Sequence, residues 1–95
     1  MTRADAIQFL DLYLEEREKV KAAVPDGVKL VDGFTGIHFW DVRPLIDALG
    51  VKFEHTYNPD LEFPHKIAFL YRGVTVFAIY TEEEFKGVNE WMTKE

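Results

Sequence analysis

Residues 65–80 read HKIAFLYRGVTVFAIY, and the fold turns on how this stretch is read. Two runs rich in β-branched and aromatic residues flank Arg72–Gly73. That pattern predicts two strands joined by a tight turn. A two-residue turn sets the cross-strand partners. Tyr71 is expected opposite Val74, Phe69 opposite Val76, Ile67 opposite Ala78, and His65 opposite Tyr80. Side chains alternate between faces, so these residues share one face, taken as the core. The other face carries Leu70 with Thr75, Ala68 with Phe77, and Lys66 with Ile79. It is too apolar to be left wet. A helix, a second subunit or a partner is expected to cover it, and a helix is the simplest cover.

Upstream, VKFEHTY at 51–57 alternates cleanly, with Val51, Phe53, His55 and Tyr57 on one face. The segment NPDLEFP at 58–64 holds two prolines and two further acids, which reads as a loop. If 51–57 pairs beside 65–71, Tyr57 falls near His65. Tyr57, His65 and Tyr80 then form a row at the end of the sheet.

Further upstream lie VKLV at 28–31, a DG turn signal at 32–33, and a strand over roughly 34–40. In that strand Ile37 and Phe39 face one way, His38 and Trp40 the other. Asp41 is placed to cap a following helix, with Pro44 in its first turn, where a missing N–H is harmless. Leu45, Ile46 and Leu49 supply its buried side, and Gly50 closes it. At the N-terminus, residues 3–24 carry an apolar stripe at helical spacing, with Thr2 and Asp5 as a capping box and PDG at 25–27 as the stop. At the C-terminus, Thr81 and Glu84 make a second capping box, and Glu82, Glu83 and Glu84 suit the positive end of a helix dipole. Gly87 weakens this helix by about 1 kcal/mol, so a short, frayed element is expected. The expected order is α-β-β-α-β-β-β-α. It describes a single α+β domain over residues 1–95: an antiparallel sheet of four or five strands with helices packed on it.

Length and composition agree. A chain of 95 residues makes one domain, and eight Phe, four Tyr and two Trp supply enough buried area for a small core. There is no Cys, which excludes disulfides and thiolate metal or redox sites. No apolar run reaches the length of a membrane span, and the charged N-terminus lacks a signal-peptide core. A cytoplasmic protein with no membrane partner is expected. The net charge of −6 argues against direct nucleic-acid binding, which relies on clustered Lys and Arg.

Motifs that carry chemistry are sparse. His38, His55 and His65 show no metal-ligand spacing. No phosphate-binding glycine loop or serine-nucleophile elbow is present, and Ser is absent altogether. Asp41 has a capping role, so its neighbourhood with His38 does not imply acid–base work. The expectation is a non-enzymatic protein without cofactor or metal. Trp40 is either core beneath the first helix or an exposed anchor, and Arg43 one turn away would complete a Trp–Arg patch of the kind that dominates interfaces.

The pieces GIHFWDV, LIDALG and FPHKIAFLYRGVTVFAIYTEEE, which span about half the chain between Gly36 and Glu84, resemble small uncharacterised proteins encoded by phages and prophages of Gram-positive bacteria. The resemblance implies an accessory protein with no assigned reaction and carries over no catalytic residue.

Three readings follow. The first is a protein-interaction module, self-associating as a homodimer or acting on a host protein, with His38, Trp40, Arg43, Leu70, Phe77 and Ile79 as contact candidates. The second is an acidic mimic of nucleic acid that binds a basic host protein. The third is a small-molecule or metal-binding domain using His55, Tyr57, His65 and Tyr80.

Overall fold

A computed structural model describes residues 1–22 and 36–94, and of Val20 and Lys21 the backbone only. Helix α1 spans Arg3–Ala22, strand β1 Gly36–His38, helix α2 Arg43–Leu49, strand β2 Glu54–Tyr57, strand β3 His65–Tyr71, strand β4 Val74–Tyr80 and helix α3 Glu82–Lys94. The expected strand at 28–31, the DG turn and the PDG stop lie outside the described residues. The domain is α+β, with helices and strands in the expected order.

Arg72 and Gly73 form the hairpin turn, both at positive φ (52° and 79°). Such a turn matches the twist of the flanking strands. The register between β3 and β4 is the one the turn dictates: His65 opposite Tyr80, Ile67 opposite Ala78, Phe69 opposite Val76 and Tyr71 opposite Val74. Strand β2 lies antiparallel on the far side of β3, with Tyr57 opposite His65 and Glu54 opposite Ala68.

The sheet is mixed rather than wholly antiparallel. Its order is β1-β4-β3-β2, and β1 runs parallel to β4, with Gly36, Ile37 and His38 opposite Thr75, Val76 and Phe77. Connectivity explains the departure. Helix α2 carries the chain from one sheet edge to the other, and a helical crossover returns a strand in its starting direction. Two reversals through β3 then bring β4 back in that same direction, alongside β1.

Helix α1 starts on its expected capping box: Thr2 N–H donates to Asp5 Oδ2 (3.2 Å) and Asp5 N–H to Thr2 Oγ1 (3.1 Å). Thr81 and Glu84 do the same for α3, at 2.9 and 3.1 Å. That helix runs for 13 residues, longer than Gly87 led us to expect. Its box, its acidic first turn and Lys94 in the last turn all favour it. The N-cap of α2 is Val42 rather than Asp41. Asp41 sits one residue earlier, where its Oδ1 still accepts the Arg43 N–H (3.1 Å).

One core joins the helices to the sheet. Ala6 and Leu10 of α1, Leu45, Ile46 and Leu49 of α2 and Val88 of α3 are buried with Ile37, Ile67, Phe69, Val76, Ala78 and Tyr80. All three helices lie on this face. Phe9 and Tyr13 of α1 contact Phe39, the ring of Phe85 in α3 stacks on His65, and Trp91 Nε1 of α3 donates to Asp47 of α2. The expectation that a helix covers the second sheet face is therefore overturned. Among the described residues, no helix lies on it.

Candidate functional site

The face that no described helix covers is built by alternation, row by row. One row is Gly36, Thr75 and Leu70; the next is His38, Phe77, Ala68 and Glu54; the third is Ile79, Lys66 and Thr56. Trp40 continues β1 toward the third row, and with His38, Phe63, Ile79 and Glu84 it lines a hollow of about 140 Å³. Phe77 is the hub. His38 stacks on its ring at 4.9 Å, nearly parallel, and Lys66 Nζ lies 4.8 Å from its centroid. Gly36 makes room for the ring: a Cβ there would stand 3.1 Å from Phe77 Cε1 and 3.2 Å from the Thr75 carbonyl oxygen. Leu70 is 69% exposed and Trp40 86% exposed. Trp40 is thus an exposed side chain and does not pack beneath α1. Where β2 begins only at Glu54, the chain at 51–53 leaves β3. A groove of about 580 Å³ opens there over Ala68, Leu70 and Thr75.

Arg43 does not join Trp40. Its guanidinium grips Asp41 through Nε–Oδ1 and Nη2–Oδ2, both 3.0 Å, and sits 5.9 Å from the centre of the Tyr80 ring on the core side. Tyr80 completes the clasp. Its hydroxyl donates to Asp41 Oδ1 (2.9 Å) and accepts the Val42 N–H (3.3 Å). Burial pushes the Tyr80 hydroxyl up to about 12; the bond from Val42 opposes the shift and the bond to Asp41 adds to it. Burial also pushes the Asp41 carboxyl up, but the hydrogen bonds from Arg43 and Tyr80 outweigh it and hold the group below its ordinary value. The clasp ties the end of β4 to the start of α2, and so holds the bend that presents Trp40 on the opposite side.

The row Tyr57–His65–Tyr80 forms as a register, but its members do different things. Tyr80 belongs to the clasp. His65 is buried, with Nδ1 2.9 Å from His55 Nε2 and Nε2 3.0 Å from Glu82 Oε1. An ionised Glu82 only accepts, so His65 Nε2 carries the proton of that bond; when the ring is neutral, its Nδ1 accepts a hydrogen bond from His55 Nε2–H. Phe85 stacks on His65 at 3.6 Å and on His55 at 4.6 Å, and Tyr57 lies 4.7 Å from His65. Burial, then the neighbouring His65, lowers the His55 pKa. Partial desolvation, then the charge of Glu82 and a hydrogen bond to it, raises that of Tyr57. The polar atoms of this cluster face one another, so it serves as a seam between β2, β3 and α3. Among the described residues, no group of three or more His, Cys, Asp or Glu could hold a metal ion.

Glu82 and Phe85 went unnoticed in the sequence as partners of the histidines. The signal was there, because His65 opposite Tyr80 places the first turn of the following helix beside it. The three glutamates each have local work: Glu82 on His65, Glu83 on Lys86 and Glu84 on Thr81. No helix among the described residues is long and apolar enough to cross a membrane. No known protein family, curated protein or solved structure matches the chain.

Proposed function

We propose that this protein is a small, non-enzymatic interaction module of the cytoplasm that docks a protein on the outer face of its sheet. The observation that carries this reading is the arrangement of one exposed face: Trp40 and Leu70 at 86% and 69% exposure, flanking Phe77 and Ile79, with the described helices all on the other side. Exposed apolar surface of this kind marks interaction sites, and tryptophan is enriched among the residues that dominate them. The Tyr80–Asp41–Arg43 clasp and Gly36 support the reading, since each orders a residue of that face. An accessory role is what the resemblance to phage and prophage proteins implies.

The test is a photo-crosslinking amino acid placed at Leu70 and, as a control, at Glu83, whose side chain is 84% exposed on α3. Irradiation in the cell is expected to give protein adducts from position 70 and few from position 83. Equal labelling from both positions, or no protein adduct from position 70, refutes the reading.

A further inference from the structure

Resting on that docking surface, we propose that its occupant is a second copy of this chain, packed sheet to sheet about a two-fold axis parallel to the strands. Packed sheets that stay aligned keep their strands within about 30° of each other. A two-fold axis between two such faces then runs either along the strands or across them. Charge and size on this face separate the two.

The sheet order β1-β4-β3-β2 puts the midline between β4 and β3. An axis along that midline sets β4 of one copy over β3 of the other, and β1 over β2. Within the row His38, Phe77, Ala68 and Glu54, Phe77 then meets the hollow above Ala68 of the second copy. Glu54 meets His38. In the row above, Trp40 meets Thr56, and in the row below, Leu70 meets Thr75. Large side chains face small ones, and the acid faces an imidazole that can donate to it. An axis across the strands through this central row would instead set Glu54 on Glu54 and Phe77 on Phe77, and leave Ala68 facing Ala68. Like charges opposed at an interface are costly, so the first axis is selected. In the upper row Ile79 meets Lys66, whose stem packs on it, and the ammonium, 4.8 Å from the centre of the Phe77 ring in the single chain, turns out to water at the rim on pairing.

The area suits a second copy that binds reversibly. Strands about 4.8 Å apart, with three residues in β1, four in β2 and seven each in β3 and β4 at about 3.3 Å per residue, cover roughly 330 Å² per copy before side-chain relief is counted. Side-chain relief and Trp40 add to this, and the pair stays below the roughly 1,200 Å² of a stable specific interface, in the range of weak, transient contacts. The pair is therefore expected to be weak and populated toward the upper end of the concentration range, and dimerisation would close the sheet into a two-sheet sandwich with helices outside.

Sedimentation equilibrium of the whole chain from about 1 to 300 µM at low salt tests this, with circular dichroism to confirm that each variant is folded. A two-subunit mass at the upper concentrations is expected. Leu70→Glu is expected to return a single subunit, because Leu70 is mostly exposed and the change leaves the core intact. Glu54→Lys alone and His38→Glu alone are each expected to weaken association about fivefold or more. The double variant Glu54→Lys/His38→Glu is expected to restore it to within about threefold, which only the axis along the strands allows. A single-subunit mass at every concentration overturns the proposal, as does a dimer that survives Leu70→Glu or shows no restoration in the double variant. The crosslinker at Leu70 then separates the two ideas. Adducts to other proteins leave the docking reading standing without the homodimer, and no protein adduct removes both.

Discussion

Replacing Tyr80 by Phe removes one oxygen and leaves the ring, so it isolates the clasp. Tyr80 is 3% exposed, and its hydroxyl spans Asp41 and the Val42 N–H. Loss of a hydrogen bond to a charged group costs about 1.5–3 kcal/mol, and a stranded buried N–H adds about 1 kcal/mol or more. Val42 is fully buried, so water does not replace the lost partner. The expected destabilisation at pH 7 is about 3 kcal/mol. A domain of this size has roughly 5–14 kcal/mol in all, so the variant still folds.

The pH dependence supplies a second, independent signature. In the folded protein the Tyr80 hydroxyl titrates at about 12, against 10.0 unfolded. Between those values the folded state holds a proton that the unfolded state has lost, so stability is present below pH 10 and declines as pH rises. The full effect is about 2.7 kcal/mol, and roughly half of it is expressed by pH 11. Phenylalanine does not titrate. The gap between wild type and Tyr80→Phe should therefore narrow by about 1.4 kcal/mol between pH 8 and pH 11. Tyr13, Tyr57 and Tyr71 are present in both proteins and cancel in the difference. Urea unfolding followed by far-ultraviolet circular dichroism measures the gap, with the slope on denaturant unchanged. A gap below about 1 kcal/mol at pH 7, or one constant across this range, would refute the clasp.

Gly36→Ala should cost about 1–2 kcal/mol in the same urea assay, because the new Cβ meets a backbone oxygen as well as the Phe77 ring. It should also displace Phe77 and weaken whatever binds the outer face. His55 has a pKa lowered from 6.5, so the folded state binds fewer protons there than the unfolded. Its contribution is present above pH 6.5 and lost as pH falls through 6.5 toward the lower folded value. His55→Gln, which can still donate to His65, should flatten the fall in melting temperature between pH 7 and pH 5; an unchanged slope counts against the seam. Thr81→Ala should cost about 1 kcal/mol through the lost cap of α3, and hydrogen exchange should rise first in residues 82–86.

Local geometry was legible in the sequence wherever a short-range rule had one solution. The two-residue turn at Arg72–Gly73 leaves no freedom in register, so every partner across β3 and β4 could be named, and with them the row Tyr57, His65 and Tyr80. Thr2 with Asp5 and Thr81 with Glu84 bond within one helical turn and depend on nothing distant. Arg43 shows where local reading stops. Spacing put it near Trp40, but a carboxylate two residues earlier captured the guanidinium and drew it to the core side. The parallel placement of β1 was hidden because it depends on the crossover through α2, and no residue in Gly36–His38 records that.

The bare face has a similar origin. Alternation along 65–80 marks two apolar faces and says nothing about which one the helices choose. Grouping decides it. α1 packs on α2, and α2 is tied to α3 through Asp47 and Trp91, so the three form one layer. A single layer buries Leu10, Ile46 and Val88 against one side of a four-stranded sheet completely. Splitting the helices between both sides would leave each layer too narrow to do so. The smallest dimension of the molecule, 17 Å between Cα atoms, is that of one sheet and one helix layer. Leu70, Phe77, Ile79 and Trp40 were left apolar on the side that the layer does not reach. A chain that only had to fold would gain solubility from charge at those positions. Their presence on one face, with His38 and Glu54 at opposite ends of the same row, points to the outer face rather than the histidine seam as the binding surface we propose.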